Sequence, residues 1–250
     1  MSVFHIYRRG FTLIELLVVV ALMSLLMALG MPALYRMARG NRVEECARNI
    51  KLGLEQAQLR AASERRYVAV IFPNGANSDV SSELQRYRLG GFRLAYVTRA
   101  AGGGFTFKRW VDSAWRNAPS GAILARVDNS DFTPSGGYVT GCTAAAANVL
   151  EGVTKTETVG DTTTTTTLFS PLASLVNDSG TSISAGNNCA IIFSPYGGTL
   201  VGANLHLLVS EAEINGGVIS YPSAGGSGLN RTANYFILKV NNLTGRVEYE

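Results

Sequence analysis

Residues 8–17 read Arg8-Arg9-Gly10-Phe11-Thr12-Leu13-Ile14-Glu15-Leu16-Leu17: two cations and a glycine ahead of an apolar run that holds one carboxylate. The run covers residues 11–34, 24 positions broken only by Thr12, Glu15, Ser24, Gly30 and Pro32. As a helix it would reach about 36 Å, more than the roughly 30 Å of a bilayer's hydrocarbon. A charge inside such a segment costs roughly 2.5 to 3.5 kcal/mol, so Glu15 calls for a partner or a function. Residues 1–10 carry Arg8 and Arg9 and no acid. The positive-inside rule therefore keeps the leader in the cytoplasm and exports the chain beyond Met37.

Two plainer interpretations fit less well. A secretory signal peptide has a shorter apolar core and a small-residue cleavage site, whereas this run leads into Gly30-Met31-Pro32 and then Tyr35-Arg36. A simple single-span anchor accounts for the length and the arginines and leaves Glu15 unexplained.

A basic leader ending in Gly10, then Phe11-Thr12-Leu13-Ile14-Glu15, then an apolar stretch with Pro32 resembles the N-terminal signal of type IV prepilins and type II secretion pseudopilins. The resemblance implies cleavage between Gly10 and Phe11 by prepilin peptidase and N-methylation of the new Phe11 amine. It also implies a helix kink at Pro32. Physically, the new amine gives Glu15 its partner: in a filament the carboxylate of one subunit can pair with the Phe11 amine of a neighbour, so that two charges costly in lipid become less costly together.

The remaining chain is long enough for one exported domain. Charged residues make up only 16 % of the chain and glycine occurs 27 times, which suits a β-rich extracellular domain and argues against a charged disordered tail. Without Arg8 and Arg9 the chain has 20 basic and 18 acidic residues, a balance of +2 that gives no argument for nucleic acid. Of three cysteines, Cys142 and Cys189 flank a polar segment of 46 residues. A Cys142 to Cys189 disulfide is the economical pairing in an oxidising compartment and would contribute about 3 to 4 kcal/mol. Three free thiols remain the alternative, because spacing alone fixes no connectivity.

Past the apolar run, Val43, Ala47, Ile50, Leu54, Ala57 and Ala61 recur at spacings of three and four and draw one apolar stripe on a helix. A single helix is therefore predicted from near Thr12 to about Arg65, with its second half laid on a sheet. Strands are predicted at residues 67–72, 87–98, 105–110, 121–127, 189–193, 205–209 and in a closing hairpin of 235–240 and 246–249. Between them, residues 129–188 are small, polar and threonine-rich, and read as an exposed loop insertion with one hairpin.

This order is similar to minor subunits of the GspH and FimT type, carried by the helix end at residues 54–63, Phe193-Ser194-Pro195 to Gly197, and Thr244-Gly245-Arg246-Val247. The resemblance implies an α+β, pilin-like fold: a leader at 1–10, a transmembrane or filament-core half-helix at 11–38, and a periplasmic domain at 39–250 whose long helix packs on an antiparallel β-sheet. The implied function is that of a minor structural subunit of a type II secretion pseudopilus or a type IV pilus, taking part in secretion or pilus initiation. The implied partners are prepilin peptidase, other pilins and the inner membrane.

Catalysis finds little support. His5 lies in the leader and His206 in an apolar strand, where a histidine is usually structural. No cluster has metal spacing, and no Walker loop or G-x-S-x-G elbow occurs, so no metal and no cofactor is expected. The alternative from another class is a DNA-capturing minor pilin at a pilus tip. Such proteins continue Gly-Arg into a basic tail, but here Gly245-Arg246 runs into Val247-Glu248-Tyr249-Glu250, with two acids where phosphate binding needs cations. Arg86, Arg88, Arg93, Arg99, Lys108 and Arg109 form a second candidate basic surface, though a solvated sheet face explains them as well. Nucleic acid is thus an unlikely partner.

Overall fold

The computed structural model describes the backbone of residues 12–73, 87, 89–100, 104–128, 132, 134–135, 138–139, 154–159, 162–167, 174–176, 188–215, 218–221, 229 and 233–250. By compactness the chain divides into two units, Met1–Arg39 and Gly40–Glu250. Helix α1 is Leu13–Glu64. It stops in a Schellman-type cap: Arg65 takes a left-handed φ of 52°, and the Arg66 amide bonds back to the Ala61 carbonyl at 3.2 Å.

In the first unit, every described large apolar side chain of α1 is exposed, from Leu13 to Met31. The second unit has the opposite character. The predicted stripe, Val43, Ala47, Ile50, Leu54, Ala57 and Ala61, is buried together with Cys46. Burial of each large member stabilises by about 1.5 to 3 kcal/mol.

The strands in chain order are β1 (Tyr67–Pro73), β2 (Arg93–Arg99), β3 (Phe105–Trp110), β4 (Ala122–Asp128), β5 (Pro134–Ser135), β6 (Tyr138–Val139), β7 (Thr154–Val159), β8 (Thr162–Thr167), β9 (Asn188–Phe193), β10 (Leu205–Glu211), β11 (Glu213–Asn215), β12 (Val218–Ser220), β13 (Tyr235–Val240) and β14 (Val247–Tyr249). They build two antiparallel four-stranded sheets, in the orders β3-β2-β1-β9 and β14-β13-β10-β4, where the sequence pattern suggests one. Leu94 and Tyr96 of the first sheet and Leu205, Leu207, Leu208 and Val209 of the second join the same core, so the helix stripe is covered by strands of both sheets.

The first sheet is buried on both faces, which is why β1 reads as an unbroken apolar run rather than an alternation. Val68, Val70 and Phe72 point into the core with α1. Ala69 and Ile71, with Ala95, Val97, Ala190 and Ile192, form a second cluster capped by Trp115 and Leu175. Leu175 lies in the segment expected to be an exposed loop, and Phe132 of the same segment is also buried. The insertion thus supplies core cover, because the outer face of an apolar sheet has to be removed from water. It holds two described hairpins, β5–β6 and β7–β8, where one was expected.

The start of β2 also differs. Tyr87, Leu89 and Gly90 are turn rather than the start of β2: the Gly90 and Gly91 amides both bond to the Tyr87 carbonyl. The β11–β12 hairpin was not legible, being only three residues a side. Edge strand β3 carries a bulge, since Tyr96 and Val97 pair with Arg109 and Phe107 and leave the exposed Lys108 unpaired between them.

Candidate functional site: the apolar rod, its cap and the closing hairpin

Thr12 and Glu15 form a reciprocal capping box at the start of α1. The Thr12 amide and hydroxyl both donate to Glu15 Oε2 at 2.9 Å, and the Glu15 amide donates to Thr12 Oγ1 at 3.3 Å. The pattern Thr-x-x-Glu ahead of an apolar run is the sequence sign of this device, masked here because Glu15 draws notice first as a charge in an apolar run. The box gives the carboxylate a role within its own chain, through Oε2. Gly10 and Phe11, the expected cleavage and methylation residues, lie outside the described residues.

Behind the cap, Ser24 is the one polar side chain within residues 16–28, and its hydroxyl donates to the Ala21 carbonyl at 2.9 Å. A polar group satisfied by its own helix adds no demand for water to the rod. Among the described residues no helix is long and apolar enough to cross a membrane. Pro32 lies inside α1, which continues through it. A proline there has no amide to offer the Ala28 carbonyl.

The two late sequence motifs, at Phe193 to Gly197 and Thr244 to Val247, meet in space. The Ser194 amide bonds to the Gly198 carbonyl at 2.7 Å and the Thr199 amide to the Asn242 carbonyl at 2.9 Å. Gly245 sits at φ 72° with the Gly197 carbonyl so close that a Cβ would collide with it. Asn241 Oδ1 organises the hairpin loop by accepting from the Leu243 and Thr244 amides at 3.1 and 3.0 Å. Gln58 of α1 then donates to the Thr244 carbonyl at 2.5 Å.

Cys189 is buried on β9, and its expected partner Cys142 lies outside the described residues. Cys46 is buried in the core, and burial, with the nearby charge of Glu45, pushes its thiol up to about 12. His206 is buried as expected, and its Nδ1 lies 2.7 Å from Glu250 Oε2. Lys239 holds the other oxygen of Glu250 at 3.1 Å.

The candidate basic surface loses a member. Arg93 is buried, with its guanidinium 4.2 Å from the Trp110 ring centre. Its Nε and Nη2 donate to the Asp112 carbonyl at 3.1 and 3.0 Å, and Nη2 also donates to the Ser113 carbonyl at 2.9 Å. Such an arginine braces a loop and has no face left for phosphate. Arg246, at the Gly-Arg motif, is paired with Glu248 at 2.9 Å. Arg86 and Arg88 lie outside the described residues. Among those described, no group of His, Cys, Asp and Glu could hold a metal ion.

The family comparison matches residues 7–31 to the prokaryotic N-terminal methylation motif. That match covers Gly10, Phe11, the capping box and the exposed part of the rod. No curated protein matches. Among solved structures, the chain is similar to the type IV minor pilin FimU of Pseudomonas aeruginosa strain PAO1, with a TM-score of 0.36 and 11 % identity, over 84 % of this chain and 89 % of that one. The matched motif thus stands at the head of α1, ahead of an α+β domain of helix and antiparallel sheets.

Proposed function

We propose that the chain is a minor structural subunit, a minor pilin or pseudopilin, of a type IV pilus or a type II secretion pseudopilus. Prepilin peptidase cleaves it between Gly10 and Phe11 and the Phe11 amine is methylated. Its rod, residues 11–38, anchors it in the inner membrane with the N-terminus cytoplasmic and then passes into a filament core. The observation that carries this is the methylation motif at residues 7–31 on a helix whose described apolar side chains, Leu13 to Met31, are exposed. An apolar surface of that extent is stable only in lipid or against other chains.

Glu15 links the two environments. In lipid its charge is met by Thr12, and in a filament it also takes up the Phe11 amine of an adjacent subunit. The purified membrane form should begin at Phe11 with one added methyl, measured by intact mass. Glu15→Ala should leave that mass intact apart from the substitution while removing the subunit from sheared filaments. Unchanged incorporation would refute the pairing. Outside the membrane, we propose the Cys142 to Cys189 bridge, which a gain of two mass units on reduction would reveal.

The competing role in DNA capture is the weaker one, since Arg93 is enclosed and Arg246 is neutralised. Salt-sensitive retention of duplex DNA by the whole chain would favour it over the assembly role.

A further inference from the structure

On the outer face of the first sheet, β3 and its neighbours bring rings and cations together. Phe105, Phe107 and Trp110 pair with Arg99, Val97 and Ala95 of β2, and the bulge at Lys108 supplies the extra residue that returns Trp110 to the side shared by Phe105 and Phe107. Tyr67 of β1 joins them, its ring edge-on to Phe105 at 5.3 Å, and Phe107 tilts against Trp110 at 5.0 Å. One end of this row is closed: Trp110 Nε1 donates to the Val176 carbonyl at 3.1 Å, and Trp115 and Leu175 belong to the same cluster. At the other end Tyr67, Phe105 and Phe107 are half-buried.

Cations surround that second end. The register that pairs Tyr67 with Val97 brings Arg66 and Arg65 to the end of β2 that carries Arg99, and Lys108 stands at the bulge. All four are exposed, and among the described residues none of them has an ion pair. The acid next to Arg65, Glu64, accepts from the Tyr96 hydroxyl at 2.8 Å, and Tyr96 belongs to the core on the helix side of the sheet. Positive charge is thereby concentrated on a chain whose overall balance is close to neutral.

We propose that this end of the sheet binds a carboxylated polysaccharide. Each uronate unit of such a polymer offers both groups that the surface is built to meet: a carboxylate for a guanidinium or ammonium, and a face of C–H bonds for the negative face of an aromatic ring. Phe105 and Phe107 repeat along β3 at about 7 Å, each beside a cation, because Arg99 is the register partner of Phe105 and Lys108 follows Phe107. Two other occupants fit less well. Nucleobases stack on open ring faces, whereas Tyr67 and Phe105 turn edge to face and cover one another. A bilayer takes up apolar side chains that stand free in water, and Tyr67, Phe105 and Phe107 are each partly covered.

The test measures binding of the full chain, held in a non-ionic detergent at low ionic strength, to a fluorescent polygalacturonate fragment. Unlabelled polygalacturonate should displace the probe, and the fully methyl-esterified fragment should not. Arg99→Gln with Lys108→Gln should weaken binding about tenfold. Phe105→Leu keeps apolar cover and loses the ring, and should weaken it about threefold at an unchanged thermal midpoint. If that midpoint falls, the charge variant alone decides. Arg246→Gln, at an exposed cation elsewhere, should change nothing. Failure to bind, equal displacement by the ester, or binding indifferent to the charge variant overturns the proposal. So does inorganic polyphosphate that displaces the probe equally well, which marks a general polyanion surface, and so does single-stranded DNA that binds more tightly, which assigns the surface to nucleic acid.

Discussion

Gln58, six residues before the end of α1, donates its side-chain amide to the main-chain carbonyl of Thr244 across 186 positions of sequence. One hydrogen bond thereby joins the helix to the loop that closes the second sheet. Replacing Gln58 with Ala should cost about 0.5 to 1.5 kcal/mol, seen as a lower denaturant midpoint with an unchanged slope. Gln58→Glu should cost more, because its carboxylate would face a carbonyl oxygen.

The capping box and the assembly charge can be separated at Glu15. Glu15→Gln keeps an acceptor for Thr12 and loses the negative charge, so amide protection over residues 13–16 should persist while incorporation into filaments falls. Thr12→Val removes the side-chain half of the box. It should weaken the first helical turn by about 1 kcal/mol and leave filament incorporation nearer to that of the parent chain. Hydrogen exchange and filament shearing read the two effects independently, and identical outcomes for both variants would show that they are one effect.

Gly53 of α1 lies against Phe92, the residue before β2, so closely that a Cβ there would run into its ring. Phe92 cannot readily yield: it is buried, tilted against Phe72 at 6.1 Å and covered by Arg116 at 5.6 Å. Gly53→Ala gains about 1 kcal/mol of helix propensity, and overpacking costs about 1 to 3 kcal/mol. A net loss is expected in thermal unfolding, and Gly53→Leu should fail to accumulate.

Glu250 gives the domain an acid-sensitive contact. Burial pushes its carboxyl upward, but hydrogen bonds from Lys239 and His206, and the charges of those groups, outweigh burial and hold it below the usual carboxylate value. A depressed carboxyl stabilises the fold above its unfolded value of about 4.3 and loses that contribution as pH falls through the lower folded value. Stability of the parent chain should therefore fall more steeply below about pH 4.3 than that of Glu250→Gln. The two should differ by a constant amount at neutral pH.

Much of the fold is legible in the sequence because its signals are local and periodic. The stripe from Val43 to Ala61 is a three-and-four spacing that only a helix satisfies, and all six members are buried. Edge strand β3 and the closing hairpin are bounded by glycines and asparagines that mark turns. What escapes depends on partners distant in sequence. Arg93 reads as one more surface cation until Trp110 and the carbonyls of Asp112 and Ser113 surround it. Leu175 reads as a lone apolar residue in a polar insertion until the outer face of β1 needs a cover. At the candidate site the methylation motif is legible in full, whereas the Thr12 to Glu15 exchange is hidden in it, because one carboxylate serves both as a cap and as a charge.

Lys108 has a consequence for storage. Among the described strands β3 ends its sheet, where another copy of the chain could add strand to strand. An added residue that bends the margin, with an ammonium projecting from it, spoils the flat ladder that zipping into amyloid-like ribbons would require. A second copy meeting that margin is thereby turned away from strand-to-strand addition.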